Sequence, residues 1–128
     1  MTEGTKATRV QNYQYHVTHG KNRILSDVPE ALGGQDLGLK PHALIEAALA
    51  VCTSMTMQMY ADRKQWPLEK ADVTVVAIQE GHTTTFTRTI KLYGALDAEQ
   101  HERLLDIANK CPIHKMLTGS ITVKTEEA

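Results

Sequence analysis

Large rings are scarce in this chain: aromatic residues make up 5% of its 128 positions, one Trp, one Phe and four Tyr. A groove that stacks successive bases needs such rings, so a platform of that kind is not expected. Charge of one sign is lacking too. With 14 basic and 15 acidic residues the formal charge is −1, and no basic block is dense enough to track a phosphate backbone, so nucleic acid is not an expected partner. No segment reaches the roughly 20 apolar residues that a membrane helix needs, and Met1–Arg9 lacks the apolar stretch of a signal peptide. No membrane partner is expected, and the expected location is the cytoplasm. Phosphate-binding glycine loops and a nucleophilic serine elbow are missing as well. The six histidines, His16, His19, His42, His82, His101 and His114, fall in different elements without a short ligand spacing, so no metal site is expected. Cysteine is limited to Cys52 and Cys111. In a cytosolic chain two such thiols stay reduced, which favours chemistry over a structural crosslink.

What is present fits one domain, residues 1–128, with a core of Ala, Leu, Ile, Val and Met. Loose alternation from Arg9 to His19, the turn "HGKN" and then "RILSDV" predict two strands. Two prolines and three glycines make Pro29–Pro41 an irregular loop. Pro41 opens a long helix that runs to about Lys64, with apolar side chains on every face between Ala43 and Met59. A helix of that kind must be covered on all sides, which points to a homodimer. The segments 71–80 and 83–94 read as an antiparallel hairpin, and Asp97 as the N-cap of an amphipathic helix. "CPIHKMLTG" predicts one or two helical turns, and "SITVKT" a closing strand. The expected fold is α+β, with a long central helix packed on a mostly antiparallel sheet.

The two thiols differ in setting. Cys111 precedes Pro112, which favours the first helical position, so Cys111 is expected to cap a short helix whose positive end can stabilise a thiolate. Cys52 lies mid-helix among Ala48, Val51 and Met55, where burial alone would make it an inert small hydrophobe. A reactive Cys52 needs a partner from elsewhere in the fold. Met55, Met57 and Met59 form a stripe suited to core or to a dimer contact.

Two stretches resemble a known family. "LKPHALIEAALAVCTSMTMQMYADRKQWPLE" resembles the central-helix segment of the OsmC/Ohr family, the osmotically inducible and organic-hydroperoxide-resistance proteins, in which a Pro-initiated apolar helix carries a cysteine. "LDAEQHERLLDIANKCPIHKMLTG" resembles the second-cysteine segment of the same family, where "CP.H..L" is typical. With "LGGQDLG" and the strand order agreeing, the likeness spans nearly the whole chain. It implies an OsmC-like intertwined homodimer, with two long helices at the centre and each sheet built from strands of both chains. It also implies a thiol-dependent peroxidase acting on small organic hydroperoxides. In that chemistry Cys52 attacks the peroxide and becomes a sulfenic acid, Cys111 condenses with it to a disulfide, and an external thiol or dithiol reductant of the lipoyl type restores both. No bound cofactor is implied.

The family activates its first cysteine with an arginine that is held by a glutamate. Here His42 and Ala43 stand where that glutamate usually follows the proline, and Glu46 lies about 240° around the helix from Cys52. No arginine occurs between Val28 and Lys40. Arg9 and Arg23, on the first strands, are the possible substitutes, with His42 or His114 as hydrogen-bond or proton partners. Two readings stay open: a peroxidase, and a non-enzymatic or weakly redox-active OsmC-like dimer that binds an apolar ligand in the cleft between subunits.

Overall fold

A residue that tolerates left-handed backbone angles can end a strand in the middle of an alternating run, and Asn12 does so with φ 51°. In the computed structural model, which describes residues 3–128, the first expected strand is therefore two: β1 (Lys6–Gln11) and β2 (Gln14–His19), joined by a tight turn at Asn12 and Tyr13. Gly20 and Lys21 turn the chain again into β3 (Asn22–Ser26), as the "HGKN" signal indicated. The three strands form an antiparallel sheet in the order β1-β2-β3.

The chain divides into two units, the residues up to Ile45 and Glu46–Ala128. In the first, the irregular loop that follows β3 is organised by one buried carboxylate. Asp27 accepts the backbone N–H of Val28 at 2.7 Å and those of Gln35 and Leu37 at 3.2 Å each. Burial alone would push its pKa up; the three N–H donors more than offset this and leave it below the usual aspartate value. Gly34 is required here, because a Cβ at that position would overlap the Val28 carbonyl and the Asp27 carboxylate.

α1 (Pro41–Lys64) begins and ends where the sequence indicates. Past Lys64 the chain leaves the helix through Gln65 at φ 59°, and the Trp66 N–H closes back on the Ala61 carbonyl at 2.9 Å. From Val51 to Ala61 burial repeats with a period of four, so rows of residues four apart share one environment. Leu49, Thr53, Met57 and Ala61 are buried. Val51, Met55 and Met59, on the opposite side, are 50%, 56% and 61% exposed.

β4 (Leu68–Glu80) and β5 (Thr83–Gly94) form the expected hairpin, turned at Gly81-His82. The intermediate row of α1 is tied to β4. Glu46 Oε2 accepts the Ala77 N–H at 2.8 Å, Ser54 Oγ donates to the Ala71 carbonyl at 2.7 Å, and Gln58 Nε2 donates to the Leu68 carbonyl at 3.1 Å. Ala71 and Ala77 are an even number of residues apart, so both turn the same side of the strand to the helix. α2 (Ala98–Ala108) starts at the expected Asp97 cap. Asp97 Oδ1 accepts the Gln100 N–H at 2.8 Å, and Gln100 Oε1 returns an acceptor to the Asp97 N–H at 3.0 Å. α3 (Pro112–Leu117) follows with Cys111 as its N-cap. Met57, Ala61, Leu68, Ala71, Leu104, Ile107 and Ala108 form one core cluster; Leu49, Val75 and Cys111 form a second.

The expected closing strand does not form. Residues 120–128 carry no regular element, and Val123 is 85% exposed. β-branched alternation supplies propensity, but a strand exists only against a partner edge, and among the described residues no strand pairs with the segment.

The Asp27 arrangement fixes a pH dependence. A carboxyl whose folded pKa lies below its unfolded value contributes stability that is present above the unfolded pKa, about 4, and lost as pH falls through the folded one. Asp27→Asn should melt a few degrees lower than the parent at neutral pH, and the gap should close as melting is followed into acid; equal melting temperatures at pH 7 would refute this role.

Candidate active site

The two thiols come together from different elements of the second unit. Cys52 is carried by α1, half-buried; Cys111 is fully buried at the start of α3. Both are free, and Cys52 packs against the buried cluster that holds Cys111. Cys111 holds the cap geometry that its position before Pro112 indicated, at φ −65° and ψ 139°, and accepts the His114 N–H at 3.2 Å. His114 thus serves the second thiol, through its backbone.

The environments of the two sulfurs are opposite. Burial pushes the Cys111 thiol up. The His114 N–H, the Cys52 thiol, the Thr53 hydroxyl and the Ile113 N–H donate against this and bring it below the ordinary cysteine value. Cys52 instead faces an open groove of about 580 Å³, walled by Val51, Met55, Met59 and Ile113. That size suits a small apolar ligand.

One residue of this site was missed in the sequence. Arg88, in β5, donates through Nη1 to Thr53 Oγ1 at 3.1 Å and to the Ala108 carbonyl at 3.2 Å, and through Nη2 to Asn109 Oδ1 at 2.7 Å. Thr53 is fully buried, donates to the Leu49 carbonyl at 2.6 Å and lies 3.8 Å from the Cys111 sulfur. The signal was available in "TFTRTIKL": Phe86, Arg88, Ile90 and Leu92 share one parity of the strand, so a cation occupies an inward apolar row. The cations expected from the sequence lie in the first unit. Arg9 donates to the Asn12 carbonyl at 2.8 Å beside the β1-β2 turn, and Arg23 is exposed on β3. Glu46 is spent on the Ala77 N–H, off the Cys52 row as its helical angle required.

An α+β fold that brings a groove-facing thiol on a long helix against a second, capping thiol defines a class. The chain belongs to the OsmC-like protein family, whose model matches residues 33–126. Solved structures agree in fold. The OsmC-like protein of Mycoplasma pneumoniae superimposes with a TM-score of 0.78 at 16% identity, over 93% of this chain and 89% of that one. The organic hydroperoxide resistance protein OhrB of Bacillus subtilis gives 0.64 at 22% identity, over 97% and 96%. An organic hydroperoxide resistance protein OsmC from Legionella pneumophila gives 0.62 at 24% identity, over 93% and 90%. No curated protein sequence matches the chain significantly. Among the described residues, no helix is long and apolar enough to cross a membrane.

Access should decide which thiol of this pair reacts first with a dissolved reagent. In the folded, reduced protein iodoacetamide should modify Cys52 about tenfold or more faster than Cys111, because a buried sulfur cannot be reached whatever its thiolate fraction. Peptide mass spectrometry after a timed quench measures the order, which should level out in urea; faster labelling of Cys111 in the native state would contradict the placement.

Proposed function

We propose that the chain is a thiol-dependent peroxidase that reduces small organic hydroperoxides, with Cys52 as the attacking thiol and Cys111 as the resolving one. The observation that carries this reading is that a half-buried thiol on an apolar groove packs against the cluster of a fully buried thiol, whose sulfur accepts the His114 N–H. Family membership supports it, as do the names of the Bacillus and Legionella proteins of the same fold.

The Cys52 thiolate attacks the distal oxygen of the hydroperoxide; the O–O bond breaks, and the alkoxide takes a proton and leaves as an alcohol. Cys52 becomes a sulfenic acid. The Cys111 sulfur attacks it, the S–S bond forms, and hydroxide leaves as water on protonation. An external dithiol of the lipoyl class returns two electrons by thiol–disulfide exchange. Peroxide enters at Cys52, since Cys111 is inaccessible, and Cys111 needs only to meet a sulfur already beside it.

The groove sets the substrate. Each methylene buried against Val51, Met55, Met59 and Ile113 is worth about 0.8 kcal/mol, so kcat/KM should rise by up to roughly fourfold per added CH2 in an alkyl hydroperoxide series until the groove is filled. Cumene hydroperoxide should remove both thiols of the parent chain. Cys111→Ser should lose one and stop as a sulfenic acid or overoxidise, and Cys52→Ser should lose none by this route. Unchanged thiols in the parent would favour the second reading, an apolar-ligand protein without turnover. One observation speaks for that alternative: Arg88 is bonded to Thr53, Ala108 and Asn109 rather than to the Cys52 sulfur.

The working form in this reading is a homodimer. The row of Val51, Met55 and Met59 gives α1 a continuous apolar face that the chain itself leaves exposed. Met59→Glu should shift sedimentation towards the monomer with helix content retained; a parent chain that sediments as a monomer at micromolar concentration would eliminate the dimer.

A further inference from the structure

Arg88 stands in the half-buried row of β5 that also holds Phe86, Ile90 and Leu92. A guanidinium placed among apolar side chains is costly unless its donors are used. They are used, yet every acceptor is neutral: a hydroxyl, a backbone carbonyl and a side-chain amide. Among the described residues the ion pairs are His19 with Glu3 and Lys70 with Asp72, so no carboxylate balances the charge of Arg88. A group that can become negative lies one contact further on. Thr53 Oγ1, which accepts from Arg88, is 3.8 Å from the Cys111 sulfur.

Thr53 has a single hydroxyl proton and two acceptors within reach of it. Against a neutral thiol the Leu49 carbonyl, at 2.6 Å, takes that proton. Against a thiolate the proton gains more by turning to the sulfur, while the oxygen goes on accepting from Arg88. The Arg88 bond holds the oxygen in place and strengthens the O–H as a donor. Cys52, on α1, is the one other titratable group beside this sulfur among the described residues; β4 presents only the apolar Val73 and Val75, and α3 only the backbone N–H groups of Ile113 and His114.

We propose that Arg88 is a positioning residue that favours the thiolate form of the Cys111 sulfur by acting through the Thr53 hydroxyl; its catalytic use rests on the peroxidase reading, whereas its effect on ionisation does not. In that use the thiolate is needed as a leaving group. When a dithiol reductant attacks Cys52 in the disulfide, a bond forms between the two attacked and attacking sulfurs, and the Cys52–Cys111 bond breaks with its electron pair retained by Cys111. A stabilised thiolate leaves faster. The competing role for Arg88 is purely structural, a cation that caps the last carbonyl of α2 at Ala108.

The test is a titration in a Cys52→Ser background, where serine keeps a donor beside Cys111 and leaves a single thiol to follow by its ultraviolet thiolate absorbance. Arg88→Met should raise the midpoint by about one pH unit, the scale of losing one nearby opposite charge. Thr53→Val should raise it by a similar amount with Arg88 still in place, the double variant should add little, and Thr53→Ser should restore the background value. Midpoints unchanged in folded Arg88→Met and Thr53→Val proteins would overturn the proposal and leave Arg88 as a helix cap. Should Arg88→Met fail to fold, an unmoved midpoint in Thr53→Val overturns it alone. Cumene hydroperoxide consumption by the parent chain, measured in parallel, separates the two ideas. A shifted midpoint without turnover removes the peroxidase reading and keeps the role of Arg88; turnover with unmoved midpoints removes the role of Arg88 only.

Discussion

Three side-chain hydrogen bonds fix the rotation of α1, and the second unit is arranged around that rotation. Glu46, Ser54 and Gln58 reach backbone groups of Ala77, Ala71 and Leu68 on β4. Such bonds are individually modest, about 1 kcal/mol net, but they are directional where apolar packing is not. A helix with greasy side chains on every face has no strong preference for which face to bury. The polar row supplies one. Once it lies along β4, Leu49, Thr53, Met57 and Ala61 must enter the core, Val51, Met55 and Met59 must face outward, and Cys52 falls between them at the groove.

The same rotation gives the two sulfurs different surroundings. A thiol needs access to be reached by a solute and compensating donors to offset the cost of burial. Cys52 has the access, and Cys111 has the donors. Thr53 joins the two arrangements because it follows Cys52 in the chain yet points into the core, where Arg88 and Cys111 meet its hydroxyl. Adjacent residues of a helix look about 100° apart, which is what lets one turn of α1 serve the groove and the buried network together.

Features set by local chemistry were legible in the sequence. Pro41 announced the start of α1, Asp97 announced α2 as its N-cap, Cys111 before Pro112 announced the α3 cap, and the β-branched segments 71–80 and 83–94 announced the hairpin. The misses have a common cause in partners that local patterns do not reveal. Asn12 splits the first strand through a backbone conformation that Asn tolerates without demanding it. The "SITVKT" run has strand propensity without a partner edge among the described residues. Arg88 could be marked as odd from its parity in β5, but its bonds to Thr53, Ala108 and Asn109 depend on how α1 and α2 meet the hairpin.

The four-residue repeat of environments along α1 makes the length of this helix less free than its composition. A single residue inserted between Glu46 and Cys52 would turn everything beyond it by about 100°. Serine and glutamine would swing off the strand, the buried threonine would leave its arginine, and the groove would lose its sulfur, with no change in overall hydrophobicity. Drift in the identity of the outward methionines is cheap by comparison, so the spacing from Pro41 to Cys52 is the more informative quantity when related chains are compared.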